Sequence, residues 1–226
     1  MTTEKRITEL LESTNREGVT DLVCYLRESG FFECPASTKF HGAHKGGLAE
    51  HSLRVYELLD NRCGMLNLGR DFSPGQKPLE ITEEAIVIAA LLHDVCKVGA
   101  YIGDESPYKW NKQQPKGHAL LSIERIKKHI ELTELEELMI KYHMGVYGLN
   151  EFYEEDSWEY KTSAEYPLRG DHSKCEGMTK EESQKARYGK SLRNAWYHNP
   201  IVKLMYFCDE LAVFEEKAKN EVPATI

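Results

Sequence analysis

The stretch "AIVIAALLHDVCK", Ala85–Lys97, decides how this chain is read. From Ile86 to Val95 it is apolar throughout, as a buried helix would be, except that His93 and Asp94 stand side by side near its end. A carboxylate left unpaired in an apolar interior is strongly unfavourable. Either a cation meets Asp94 there, or the two residues form a local hydrogen-bonding feature. Thr82 is placed to cap this helix, with Glu83 and Glu84 in its first turn, where the positive end of the helix dipole favours acids.

Outward from this helix the pattern stays helical. Ile7, Leu10 and Leu11, then Val19, Leu22, Val23 and Leu26, have the three-and-four spacing of two amphipathic helices broken near Asn15–Gly18. After a loop holding Pro35, Gly46 and Gly47 lead into a helix faced by Leu48, His51, Val55, Leu58 and Leu59. "RDFSPGQKP", 70–78, reads as a surface loop, and the polar, turn-rich 103–117 has room for a short hairpin. A helix is expected from His118 to about Ile130. "TELE", Thr133–Glu136, is a capping box that opens the next one, which ends at His143.

Residues 145–199 are the least regular, with an acidic run at 150–160 and a second capping box at Thr179–Glu182. Asn199 and Pro200 open a final helix whose apolar stripe is Ile201, Leu204, Met205, Cys208, Leu211 and Ala212. The fold class expected is all-α: one helical-bundle domain over 1–226, with its core at about 41–215, N-terminal helices at 4–30 and a long irregular insertion at about 145–199, before the last helix.

The bulk properties limit the partners. At 226 residues, 41% hydrophobic and 29% charged, the chain has the composition of an ordinary globular domain. Its net charge of −8 argues against long nucleic acid as an obligate partner, while leaving room for a nucleotide in a local site. The N-terminus has no apolar signal region and no stretch is long enough for a membrane span, so no membrane partner is expected. The cysteines Cys24, Cys34, Cys63, Cys96, Cys175 and Cys208 show no CxxC spacing and read as reduced thiols of a cytoplasmic protein.

Against this background six polar residues stand at apolar faces or helix ends: His51, His93, Asp94, His118, His143 and Asp209. Singly, each has an ordinary reading as a hydrogen-bonded core residue or, for Asp209, an exposed one. Together, on five separate helices, they match the way bundles build metal sites from facing side chains.

"HDVCK", His93–Lys97, preceded by His51 and followed by Asp209, resembles the HD-domain superfamily of metal-dependent phosphohydrolases. "HGAHKGGLAEHSLRV", His41–Val55, is similar to the HD domain of bacterial 3′-to-5′ exoribonucleases. The resemblance implies that His51, His93, Asp94 and Asp209 bind a first metal. It implies that His118 and His143 bind a second, with Asp94 bridging. Cys96 departs from the family, which commonly has glycine there, and this substitution touches backbone freedom after the motif.

Imidazoles and carboxylates suit one or two divalent transition metal ions, Fe, Mn, Co, Ni or Zn. His93, Asp94 and His143 sit at helix C-termini, which favour a cation. His118 at a helix N-terminus is expected to be neutral. Two metals would polarise a phosphoryl oxygen and supply a metal-activated hydroxide. The implied function is therefore cleavage of a phosphomonoester or phosphodiester in a nucleotide or other small phosphate compound, with Asp94 and Lys97 as catalytic residues. Lys97 either balances phosphate charge or caps the helix C-terminus.

His41, His44 and Lys45 read as substrate-side residues at the pocket mouth or as a solvated loop; Arg54 contacts phosphate or is exposed. His129, His172 and His198 read as surface residues. Tyr147, Phe152, Tyr153, Trp158, Tyr160 and Tyr166 form a lid or simply pack a long loop. Two other functions use the same residues: an HD-type mixed-valent di-iron oxygenase, and a non-catalytic nucleotide-binding sensor.

Overall fold

The computed structural model describes residues 1–63, 79–115, 117–151 and 180–221. The loop 70–78, the aromatic residues from Phe152 to Tyr166, His172, Cys175 and the Thr179 end of the second capping box lie outside the described residues.

The described chain is helical apart from one small hairpin. Its elements are α1 (Thr3–Ser13), α2 (Val19–Glu28), α3 (Gly47–Cys63), α4 (Glu83–Leu92), β1 (Tyr101–Ile102), β2 (Lys109–Trp110), α5 (His118–Ile126), α6 (Glu134–Lys141), α7 (Lys180–His198) and α8 (Pro200–Glu221), with short 3-10 turns at Phe31–Glu33, Val95–Lys97 and Gly145–Glu151. No described helix is long and apolar enough to cross a membrane.

The eight residues Ala85–Leu92 of α4 are all buried. A helix that is apolar all round has to be wrapped, and α4 packs against α1, α3 and α6. Thr82 caps it, its hydroxyl accepting from the Ala85 N–H at 3.1 Å. Helix α3 buries His51 on the same face as Leu48, Val55, Leu58 and Leu59 and lies between α4 and α8. Helix α8 turns Ile201, Val202, Met205, Cys208 and Ala212 inward. The inner faces of α3 and α8 therefore meet the C-terminal end of α4 in one place.

The hairpin pairs Tyr101 with Trp110 and Ile102 with Lys109, antiparallel, within the turn-rich stretch. Helix α5 is shorter than its periodicity suggests, ending at Ile126. Beyond it the chain turns back: the His129 and Ile130 N–H groups both donate to Ile126 O. The carbonyl of His129 then comes so close to Gly18 that a Cβ there would stand 1.9 Å from it. His129, read as a surface residue, stacks on Tyr25 at 4.6 Å and bonds to Asp21, so it joins α2 to the turn after α5.

Thr133 and Glu136 form the expected capping box. Glu136 also holds Arg16 in a two-point ion pair, 2.8 and 3.2 Å, which ties the α1–α2 connection to α6. Glu136 is fully buried. Replacing it with alanine removes a cap worth about 1 kcal/mol and the charge-assisted bonds to Arg16, which partial exposure of that guanidinium discounts. We expect Glu136→Ala to cost about 2 kcal/mol by urea denaturation, with Glu136→Gln milder because the amide oxygen still caps.

Candidate metal centre

Helix α4 ends at His93, and the chain tightens into the 3-10 turn Val95–Lys97. The carbonyls of this turn are held from outside. Arg125 of α5 donates one guanidinium nitrogen to the oxygens of Val95, Cys96 and Val98 at 2.9, 3.2 and 3.0 Å. Gln114 donates to Cys96 O at 2.7 Å, and the Ser122 hydroxyl accepts from the Cys96 N–H at 3.1 Å. Cys96 does not have a positive φ, so its position needs no glycine. The substitution affects something else: the Cys96 sulfur lies 3.0 Å from His118 Nδ1.

All six residues singled out in the sequence come together. Their imidazoles form a row with His41, ring centroids 5.2 Å apart from His41 to His51, 5.5 Å to His93, 4.8 Å to His143 and 5.4 Å to His118. Three overlapping triads place their ligand atoms within 4.8 Å of one another: His51, His93 and Asp209; His93, Asp94 and His143; Asp94, Cys96 and His118.

Asp94 lies at the middle of the group. Its Oδ1 is 2.6 Å from His118 Nε2 and 3.5 Å from His143 Nε2. Its Oδ2 is 3.4 Å from His93 Nε2 and 2.6 Å from Lys97 Nζ. Asp209 Oδ1 lies 3.0 Å from His51 Nε2 and 3.8 Å from His93 Nε2.

The outer nitrogens are fixed. His93 Nδ1 donates to Ala90 O at 2.8 Å, and His143 Nδ1 to Ile140 O at 2.6 Å. A carbonyl can only accept, so in both rings the proton is on Nδ1 and the Nε2 lone pair points inward. His93 Nε2 is buried and has no hydrogen-bond partner among the described residues. Buried lone pairs without donors are rare, and a cation satisfies them. The residues present therefore fit a divalent metal.

Charge follows the same geometry. Burial opposes ionisation of Asp94, yet Lys97, His93 and His118 hold its carboxyl well below the ordinary carboxylate range. Burial likewise opposes ionisation of Asp209, which the His51 hydrogen bond and the neighbouring histidines hold low. Burial pulls His93 below its usual value and His41 down to about 4.

Burial would also lower His51, but its bonds to Asp209 and to Glu216 Oε1, 2.9 Å from Nδ1, raise it to about 9. His118 departs from expectation. Burial pulls it down, but the Cys96 sulfur and the Asp94 carboxylate together raise it well above the usual value. A full negative charge at 2.6 Å outweighs the partial charge of a helix end.

The other expected residues divide. Lys97 is bound to Asp94 and its own charge is stabilised by that contact. His41 sits half-buried against His51. His44 and Lys45 are exposed, His44 near Glu50 at 3.5 Å and Lys45 paired with Glu33. Arg54 pairs with Glu215 at 2.6 Å and Glu57 at 3.1 Å, lacing α3 to α8. Tyr147 is exposed. Sequence reasoning missed Glu216, although its place seven residues after Asp209, two helical turns on, was a usable signal.

The folded-state pKa of His51 is above the usual 6.5 of an unfolded chain. A raised value contributes stability below the unfolded pKa that is lost as pH rises through the folded one. We expect metal-stripped protein to lose stability between about pH 6.5 and about 9, measured by thermal melts across that range. His51→Gln should flatten this slope.

The family comparison adds an independent line. A family model for the HD domain matches residues 48–179, more than half of the chain, and so takes in His51, His93, Asp94, His118 and His143 while stopping short of Asp209. No curated protein and no solved structure matches the chain. With the family's match spanning the same residues that converge on Asp94, the chain belongs to the HD-domain family, a superfamily of metal-dependent phosphohydrolases.

Proposed function

We propose that the protein hydrolyses a phosphomonoester or phosphodiester in a nucleotide or other small phosphate compound, using one or two divalent transition metal ions. The ions would be held by His51, His93, Asp94 and Asp209, and by Asp94, His118 and His143. The observation that carries this reading is the buried, unpartnered Nε2 of His93, its Nδ1 proton committed to Ala90 O and both aspartates beside it. A two-ion site is supported by the way Asp94 divides its oxygens, Oδ1 toward His118 and His143 and Oδ2 toward His93. A nucleotide-type phosphate is favoured by the likeness of His41–Val55 to exoribonuclease HD domains.

When bound, such an ion supplies Lewis acidity toward a phosphoryl oxygen and makes water a nucleophile near neutral pH. The protein's own groups do the rest. His93, Asp94 and His143 have side chains no more than 3% exposed, whereas Asp209, Lys97 and His118 are 13–16% exposed. A phosphate therefore approaches from the side of these last three. Lys97 presents a fixed positive charge there, and its salt bridge with Asp94 holds it in place. His41, neutral and half-buried beside His51, can donate a hydrogen bond to a phosphate oxygen without adding charge.

The test is a phosphoester panel with protein loaded separately with Mn, Co, Ni, Zn or Fe. We expect hydrolysis of at least one small phosphate ester by wild type, and a loss of more than about a hundredfold in Asp94→Ala. Absence of turnover with every metal would overturn the assignment, and oxygen consumption confined to the iron form would replace it with oxygenase chemistry.

A further inference from the structure

The four core histidines meet three different situations at their outer nitrogens. His93 and His143 donate to main-chain carbonyls of their own helices. His118 faces the Cys96 sulfur. His51 alone faces a carboxylate, Glu216 Oε1 at 2.9 Å.

Glu216 is carried by α8, two turns beyond Asp209, so one helix face supplies both groups that flank the His51 ring. The adjacent Glu215 is gripped by Arg54 at 2.6 Å, and Arg54 lies on α3 three residues beyond His51. The pair links α8 to α3 next to the point where Glu216 meets the ring.

The second oxygen of Glu216 is buried and has no hydrogen-bond partner among the described residues. The carboxylate is committed to a single imidazole nitrogen.

We infer that Glu216 is a positioning residue for metal binding: it accepts the Nδ1 proton of His51, which fixes the ring's orientation and leaves the Nε2 lone pair for the ion. This rests on the metal-centre reading above. An acidic acceptor also makes the imidazole a stronger donor to a metal than a neutral carbonyl does. Of the four histidines, His51 is thus the one whose hold on an ion depends on a side chain from a distant part of the sequence, 165 residues away.

The test is competition for Zn²⁺ against a chromogenic chelator, using the full chain, with the visible spectrum of the Co²⁺-loaded protein as a second readout. Glu216→Ala should weaken Zn²⁺ binding by about 10- to 100-fold and alter the Co²⁺ absorption. Glu216→Gln, which keeps an oxygen acceptor for Nδ1, should retain most of the affinity.

Unchanged Zn²⁺ affinity in Glu216→Ala, or a loss in Glu216→Gln as large as in the alanine variant, would overturn the inference. A lowered melting temperature in Glu216→Ala with Zn²⁺ binding intact would likewise reduce the residue to a structural role. Failure of wild type itself to bind Zn²⁺ or Co²⁺ would instead sink the metal-centre reading, so the two failures are told apart.

Discussion

An ionised carboxylate in an almost dry interior is the constraint around which the rest is arranged. Asp94 is 2% exposed, at the end of a helix whose own side chains are all buried. In such surroundings a charge interacts strongly with whatever lies near it, and leaving it unmet is costly. Within the protein, Lys97 and His118 provide the compensation, both at 2.6 Å. A divalent ion bound there would displace protons from the imidazoles, so its binding would be an exchange of positive charge and not the filling of a neutral hole.

The rigidity of that arrangement comes from outside the ligand set. Arg125, Gln114 and Ser122 contribute no atom to the centre, yet they hold the 3-10 turn that presents Asp94 and Lys97. Arg54 and Glu215 do the same for α3 and α8. These contacts fix main-chain paths, which is how a site on helix ends attains the precision that a metal's coordination requires.

What the sequence made legible follows from its physical signals. The α4 helix, His93 and Asp94 stand out because a polar pair interrupts an apolar run. His51 and Asp209 can be found because each shares or borders an apolar face with a helical period. Glu216 was hidden because it is one carboxylate among several on α8, and its partner is remote in sequence. Arg16 and Glu136 were hidden for the same reason: the capping box is local and legible, whereas the ion pair spans 120 residues. The raised pKa of His118 was not legible, because a helix-end dipole can be read from spacing but a carboxylate at contact distance cannot.

The order of these residues along the chain has a consequence for biogenesis. Asp209 sits on the last helix, while His51 belongs to the first helix of the centre, so their meeting closes a loop of 158 residues. Contacts between such distant segments form late in folding, after much local structure is in place. During synthesis the histidines of α3 to α6 emerge well before their acidic counterpart on α8. A chain that has not yet presented α8 therefore lacks Asp209 beside His51 and His93, although Asp94, His118 and His143 are already made.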